Sequence, residues 1–350
     1  MTKTAAPMTS GSIWKQMTFF AMPIFLGNLF QQLYNTVDSL IVGNFLGSSA
    51  LAAVSSSGSL IFMLIGFLSG ISAGAGVIVA RFFGAGDEKN LQRAVHTTVA
   101  FGLVAGVLMT GVGVALSPQI LRWMDTPESV MRESVTYLQI YFAGSLGFVM
   151  YNVLVGILQA VGDSRHPLYY LIVSSVINLV LDLLFITGFH TGVGGAAVAT
   201  VISQIVSALL CFWQLLRTKE SYGLKIRKIR FDKGILVQII KIGLPSGVQN
   251  SIIAFANVIV QSNINAFGEM AMAGYGAYTK VEGFGFLPIN SFTMALTTFV
   301  GQNLGAKQDE RTKKGARFGI LAAVILAELI GVVVFLLAPQ LIAAFDSSPE

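Results

Sequence analysis

Nine apolar runs set the terms for this chain: roughly 16–44, 51–82, 92–117, 132–160, 167–190, 193–216, 235–265, 270–300 and 315–338. A helix needs about 20 apolar residues to cross the hydrocarbon core of a bilayer. In that solvent each run must satisfy its own backbone N–H and C=O groups, which a helix does. Charged residues make up only 11% of the 350 and hydrophobic ones 54%, whereas a soluble domain carries roughly 25% charged residues. The fold class is therefore all-α integral membrane protein with about nine spans, and its 37 glycines suit close helix packing in lipid.

The charges that remain are sorted by side. Loops on the N-terminal side hold Lys3 and Lys15, then Arg81, Lys89 and Arg93, then Arg165, then seven cations between Arg217 and Lys233, then Lys307, Arg311, Lys313, Lys314 and Arg317. The opposite loops hold only Arg122 and Arg132. Cytoplasmic loops retain Lys and Arg, so this asymmetry predicts a cytoplasmic N-terminus. "ALAA" at 50–53 resembles a signal-peptidase site, but the stretch before it is too long and too polar for a signal h-region. One cysteine, Cys211, excludes an internal disulfide, and His96, His166 and His190 are too far apart for a metal cluster. The net charge of +5 reports topology rather than a nucleic-acid partner.

The most charged stretch, "RTKESYGLKIRKIRFDK" at 217–233, separates six spans from three. Its cations suit a linker held at the anionic lipid surface. Across it the chain repeats: "FFGAGDEKN" (82–90) faces "NLGAKQDER" (303–311), "LSPQIL" (116–121) faces "LAPQLI" (337–342), and "MDTPE" (124–128) faces "FDSSPE" (345–350). Gly84 and Gly305 are 221 apart; Pro23 and Pro245, Asn28 and Asn250, and Asn35 and Asn257 are 222 apart. Six spans between copies give both the same orientation, a parallel repeat as in two-lobed transporters. The expected organisation is an N-terminal six-helix lobe (1–216), a basic cytoplasmic linker (217–234) and a three-span part of a second lobe (235–350). Residues 129–216 have no second copy, so repeat logic predicts a fragment or truncation of a twelve-span protein.

Polar side chains single out a working face. Asn28, Gln31, Asn35 and Asp38 recur at three- and four-residue spacing on the first span, with Gln32 and Ser39 beside them. A carboxylate at mid-bilayer costs about 2.5–3.5 kcal/mol on insertion scales and usually has a task. The seventh span repeats the amides (Asn250, Asn257, Gln261), but Val260 stands where Asp38 stood. Amide stripes often only bond neighbouring helices; an isolated acid rarely does. A second acid, Asp182, shares a face with Asn178 and Ser174 in "SSVINLVLDLLFI". Two acids and two amides would form a small cation site, and acids that are neighbours in an apolar interior are suited to exchanging a proton near neutral pH. Thr200 and Gln204 add polar groups one turn apart on the sixth span, and Glu282, Lys280 and Glu328 are further charges within later spans. No GxxxxGK[ST] loop is present, which argues against ATP-driven transport by this chain. No nucleophile–base pair at usable spacing points to an enzyme.

"QQLYNTVDSLIVG", "QAVGDSRHPLYY", "INLVLDLLFI", "GVGGAAVATVISQ" and "VGQNLGAKQ" resemble signature stretches of MATE-family multidrug antiporters, nearest the DinF-type bacterial branch. The likeness runs along the whole chain in family order. It implies a monomeric bacterial inner-membrane protein that exports drugs and organic cations by alternating access, without cofactor, against a proton or sodium gradient. It assigns ion and drug coupling to Tyr34, Asp38, Asn178, Asp182 and Thr200, with Asn152 and Gln204 as further cavity-facing residues and Glu282 as a counterpart of acids used by another branch. Protons are the preferred coupling ion; sodium held by Asp38, Asn178, Asp182 and Thr200 is the alternative. The family has twelve spans where this chain shows nine. Competing functions are a lipid-linked saccharide flippase, whose cavity should carry several cations where only Lys280 is available, and a channel or structural membrane subunit.

Overall fold

The computed structural model describes residues 7–124, 126–267 and 269–343; Asp125, the second-copy "FDSSPE" and the side chain of Lys280 lie outside the described residues. All nine apolar runs are helical, and no strand occurs among the described residues. The helices are α1 (Ile13–Leu46), α2 (Ser48–Gly84), α3 (Glu88–Trp123), α4 (Glu128–Ala143), α5 (Ser145–Ala160), α6 (Arg165–Leu183), α7 (Val193–Arg217), α8 (Lys233–Asn265), α9 (Glu269–Gly305) and α10 (Asp309–Ala343).

The run 132–160 is not one rod. It breaks into α4 and α5 with a 48° bend at Gly144, where a Cβ would collide with the side chain of Val201 on α7. Seven helices are long and apolar enough to cross a membrane by themselves among the described residues, and the bent pair makes eight. The remaining one, α1, is diluted by its own amides and Asp38, so it depends on neighbours to shelter its polar face. α6 ends one residue after Asp182 in a π-helical turn, Leu184–Gly188, a local irregularity common at functional sites.

The largest apolar core joins α2, α3, α5 and α7, and it also takes in Tyr222 and Leu224 from the 217–233 stretch and Ile235 and Ile239 from α8. A smaller core sets Met17, Phe20 and Ile24 of α1, together with Met8, against Ala295 and Phe299 of α9. In contrast α10 buries none of its most apolar window and presents it as a bilayer-facing surface.

Two helix crossings bring backbones into contact. On α2, Gly70 and Gly74 face Gly243 and Gly247 of α8, and a Cβ on either α2 glycine would overlap α8 backbone. A small-residue stripe of this kind lets helices approach where lipid offers no hydrophobic drive to pack. One end of the bundle carries a second crossing, between α2 and α9, built as a mirrored pair: a Cβ on Gly84 would strike the carbonyl of Gln302, and one on Gly305 would strike that of Arg81.

The same end of the bundle is strapped twice. Residues 8–11 are held by the α9–α10 corner: Gln302 Oε1 accepts from Met8 N–H at 2.7 Å, Asn303 donates to Met8 O at 3.1 Å, and Arg311 donates to Gly11 O at 2.7 Å. Gln302 also donates to Ala160 O at 2.8 Å, tying α9 to α5. The 217–233 stretch is held by α3: Gln92 donates to Gly223 O at 3.0 Å, His96 Nε2 accepts from Lys225 N–H at 3.0 Å, and Thr97 accepts from Asp232 N–H at 3.0 Å.

The sequence repeat is visible as a repeated turn. After α2, Asp87 N–H donates to Phe82 O at 3.1 Å; after α9, Gln308 N–H donates to Asn303 O at 2.9 Å. Gly86 (φ +66°) and Lys307 (φ +56°) fill the same left-handed position. The capping differs. Asp87 accepts from Asn90 backbone and amide N–H groups at 3.1 and 2.7 Å, and these bonds hold its carboxyl below the usual carboxylate range.

Candidate functional site

α1 packs along α6, and this pairing brings Asp38 beside Asp182. Asp182 is fully buried and Asn178, one turn earlier, is 2% exposed. Tyr34, one turn before Asp38 on α1, lies next to both acids and to Gln204 of α7. Phe30, Tyr34, Asp38, Ser175, Asn178 and Asp182 line a pocket of about 240 Å³.

The pocket's polar atoms are under-used. Asp38 Oδ1, both carboxyl oxygens of Asp182, Asn178 Nδ2 and Gln204 Oε1 are buried without a hydrogen bond of good geometry among the described residues. Buried polar groups are normally paired, and exceptions concentrate where a site binds something. Among the described residues, the groups that interact electrostatically with the two acids are each other and tyrosines, with no Lys or Arg. Two carboxyl groups side by side in such a place need a positive charge, a proton or a metal cation, to balance them.

Two more tyrosines lie within electrostatic reach of the pocket's polar groups. Tyr137 of α4, 6% exposed, faces Asp38, Asp182 and Tyr34, and Tyr141 one turn later faces Tyr34. The rings of Tyr137 and Tyr141 stack with centroids 6.4 Å apart. Sequence reasoning passed over both. The signal was a pair of hydroxyl-bearing rings four residues apart within a span, since a buried Tyr O–H normally seeks a partner.

The other expected residues do not line this pocket. Thr200 donates to Ala196 O of its own helix at 3.0 Å, one turn before Gln204. Asn152 donates to Phe148 O at 2.9 Å and lines a different pocket, of about 290 Å³, between α2, α5 and α9, with Ser69, Ser72, Gln159, Thr293 and Thr297. Glu282 accepts from Tyr278 O–H of its own helix at 3.0 Å. Glu328 is exposed on α10. No group of three or more His, Cys, Asp or Glu side chains gathers into a metal site among the described residues.

Comparison with known proteins gives a consistent family. The MatE family model matches residues 23–184 and 245–350. The probable multidrug resistance protein YoeA of Bacillus subtilis is 32% identical over 346 residues, covering 97% of this chain and 75% of the relative. The probable multidrug resistance protein YpnP of the same organism is 31% identical over 346 residues, covering 99% and 77%. A solved structure described as an outward-facing conformation of a multidrug resistance MATE family transporter superposes with TM-score 0.89 at 26% identity, covering 97% of this chain and 75% of that one.

Proposed function

From the premise that this chain belongs to the MatE family of membrane transporters, we propose that it expels amphipathic, often cationic, organic compounds in exchange for protons. The observation that carries the reading is the Asp38–Asp182 pair, two neighbouring carboxyl groups in one pocket with unpaired oxygens and no basic neighbour among the described residues. A proton or a cationic compound each supplies the missing positive charge. Occupancy by one therefore disfavours the other, which is the requirement for exchange. Tyr34, Asn178 and Gln204 shape the hydrogen bonds around the acids; Thr200 supports the same wall through α7. Asn152 and Glu282 serve the path rather than the pair. Sodium held by the oxygens of Asp38, Asn178, Asp182 and Thr200 is the competing reading.

Two lobes joined by the 217–234 linker would alternate their access, the first made of α1–α7 and the second including α8–α10. The double strapping and the α2–α8 and α2–α9 crossings support a state closed at the basic end. With that end assigned to the cytoplasm by its Lys and Arg, the state is outward-facing, in a bacterial inner membrane.

Purified protein in proteoliposomes tests the exchange. An outward drug gradient should drive opposing proton movement with no sodium present. Transport that ignores the pH gradient but stops without sodium would reverse the ion assignment, and downhill ion flux with no drug would make the protein a channel. Labelling of an introduced cysteine at position 225 by an impermeant reagent from outside intact cells would overturn the sidedness.

A further inference from the structure

The segment between the two α3 anchors is not explained by transport. Lys225 N–H is fixed to His96 and Asp232 N–H to Thr97, Asp232 caps α8 by accepting from Ile235 N–H at 3.1 Å, and Arg93 pairs with Asp232 at 3.7 Å. Residues 226–231 are therefore a short projection pinned at both ends, with a single 3-10 turn at Ile226–Lys228. Ile229 turns inward against the main core. Everything else points out: Arg227, Lys228 and Arg230 are exposed, and so are Ile226 at 62% and Phe231 at 46%.

A loop meant only for water would not hold an isoleucine and a phenylalanine outward on a rigid support. A loop meant only for an apolar partner would not place three cations among them. The combination fits the boundary between headgroups and acyl chains, where apolar side chains dip in and cations meet phosphate. Two further observations place the projection at that level. Leu224 N–H donates to Leu215 O at 2.8 Å, so the chain enters the projection alongside the last turn of α7. There Arg217 lies over the ring of Trp213 at 4.4 Å, a pairing of the kind found at membrane interfaces. Below it the outward face of α7 is wholly apolar, with Leu209, Leu210, Phe212, Trp213 and Leu216 bordering a shallow groove.

We propose that residues 225–231 and the end of α7 form a binding site for an anionic phospholipid. Arg227, Lys228 and Arg230, with Arg217 beside them, hold the headgroup phosphate; Ile226 and Phe231 insert at the acyl boundary, and a chain lies along the α7 groove. Arg227, Lys228 and Arg230 make no side-chain hydrogen bond or ion pair among the described residues, so their charges are free for a lipid. A protein that binds one would have its linker moored to the bilayer while its helices move. The site depends on the membrane reading alone and stands whatever the coupling ion is.

The test is site-directed fluorescence in vesicles, which needs no transport activity. Bimane is placed at Ile226→Cys, and separately at Phe231→Cys, leaving the fully buried Cys211 in place. The protein is reconstituted in phosphatidylcholine with a quarter phosphatidylglycerol, the same in both leaflets, with bromine on the chains of one lipid or the other. The expected result is stronger quenching by brominated phosphatidylglycerol than by brominated phosphatidylcholine at equal mole fraction. Each surface cation is worth roughly fivefold in lipid binding, so the R227Q/K228Q/R230Q variant should lose the preference while its thermal unfolding is unchanged. Equal quenching by both lipids, in parent and variant alike, would overturn the proposal. So would a label reached by aqueous iodide and not by brominated chains, which is the outcome expected if the patch serves an acidic protein or a nucleic acid.

Discussion

α1 and α8 occupy matching places in the sequence repeat, and each sends an asparagine across to the other half of the molecule. Asn28 donates to Ser291 Oγ of α9 at 3.1 Å, and Asn250 donates to Gly66 O of α2 at 3.0 Å. Past that point they diverge. α1 continues to Asp38, which meets Asp182 in a pocket, while α8 continues to Val260, 45% exposed. They also cross their partners differently. α8 lies backbone to backbone on α2, whereas a Cβ on Gly27 of α1 would meet only leucine methyls of α6, the nearest at 3.6 Å, and one on Gly283 of α9 would meet Gln32 Nε2 at 3.7 Å. Side-chain contacts can re-form in a new register, but backbone contact through glycines leaves no slack. The repeat has kept a crossing scaffold in both copies and placed the paired carboxyl groups on the copy whose crossing is looser.

The largest test of that contrast is chemical. Asp38→Asn and Asp182→Asn should each lower drug extrusion at least about tenfold, as loss of a charge essential to coupling does, at unchanged membrane abundance. Drug susceptibility of an efflux-deficient host, with abundance by immunoblot, reads it. Val260→Asp on a D38N background should not restore extrusion, because α8 offers no second acid. Full resistance from D38N at equal abundance would remove the first copy's claim to the chemistry.

Next in size is the crossing itself. Gly70→Ala inserts a methyl into α8 backbone and should cost about 1–3 kcal/mol, the range for overpacking; Gly27→Ala has room and should be neutral or gain up to about 1 kcal/mol, since a mid-helix glycine is disfavoured against alanine. Thermal unfolding in detergent compares the two. Equal effects would mean that both crossings are equally tight.

A smaller effect separates the repeated turns. Lys307 holds a left-handed φ that a side chain tolerates at a cost of about 1–2 kcal/mol, while Gly86 holds it freely. Lys307→Gly should therefore gain up to about 1 kcal/mol, offset by glycine's larger entropy when unfolded, and Gly86→Lys should lose a similar amount. The pair of unfolding midpoints should move in opposite directions.

The smallest concerns pH. The folded Asp87 carboxyl sits below its unfolded value, so its stabilisation of the α3 start is present above the unfolded pKa and fades as pH falls through the folded one. Hydrogen exchange at Asn90 and Leu91, corrected for intrinsic rates, should rise in that acid window. The matching turn has Gln308 in place of Asp87, and its amides at Arg311 and Thr312 should not follow the same curve.

The helices were legible because twenty-residue apolar runs have one answer in lipid, and the repeat because Gly84/Gly305 and Pro23/Pro245 keep constant offsets. The bend at Gly144 was not, since it depends on where Val201 of another helix falls. Asp38 and Asp182 could each be placed on a polar face, but spacing along two separate helices does not say that those faces meet. Tyr137 and Tyr141 were hidden for a related reason: within an apolar run a tyrosine reads as bulk until a neighbouring carboxyl gives its hydroxyl a role. The glycine ladder was legible as composition and not as pairing, because Gly70 against Gly247 requires the register of two helices that are far apart in sequence.

The strap on residues 8–11 sets an order of events during synthesis. Met8 leaves the ribosome well before its partners Gln302 and Arg311, which follow 294 and 303 positions later. At 5–20 residues per second that interval is roughly 15–60 s, far longer than a helix takes to form. The leading segment must wait beside an already inserted bundle for its acceptors and donors to emerge. Closure of the basic end is thus a late, long-range event, and the growing protein passes through a stage in which its helices are in place and that end is unlatched.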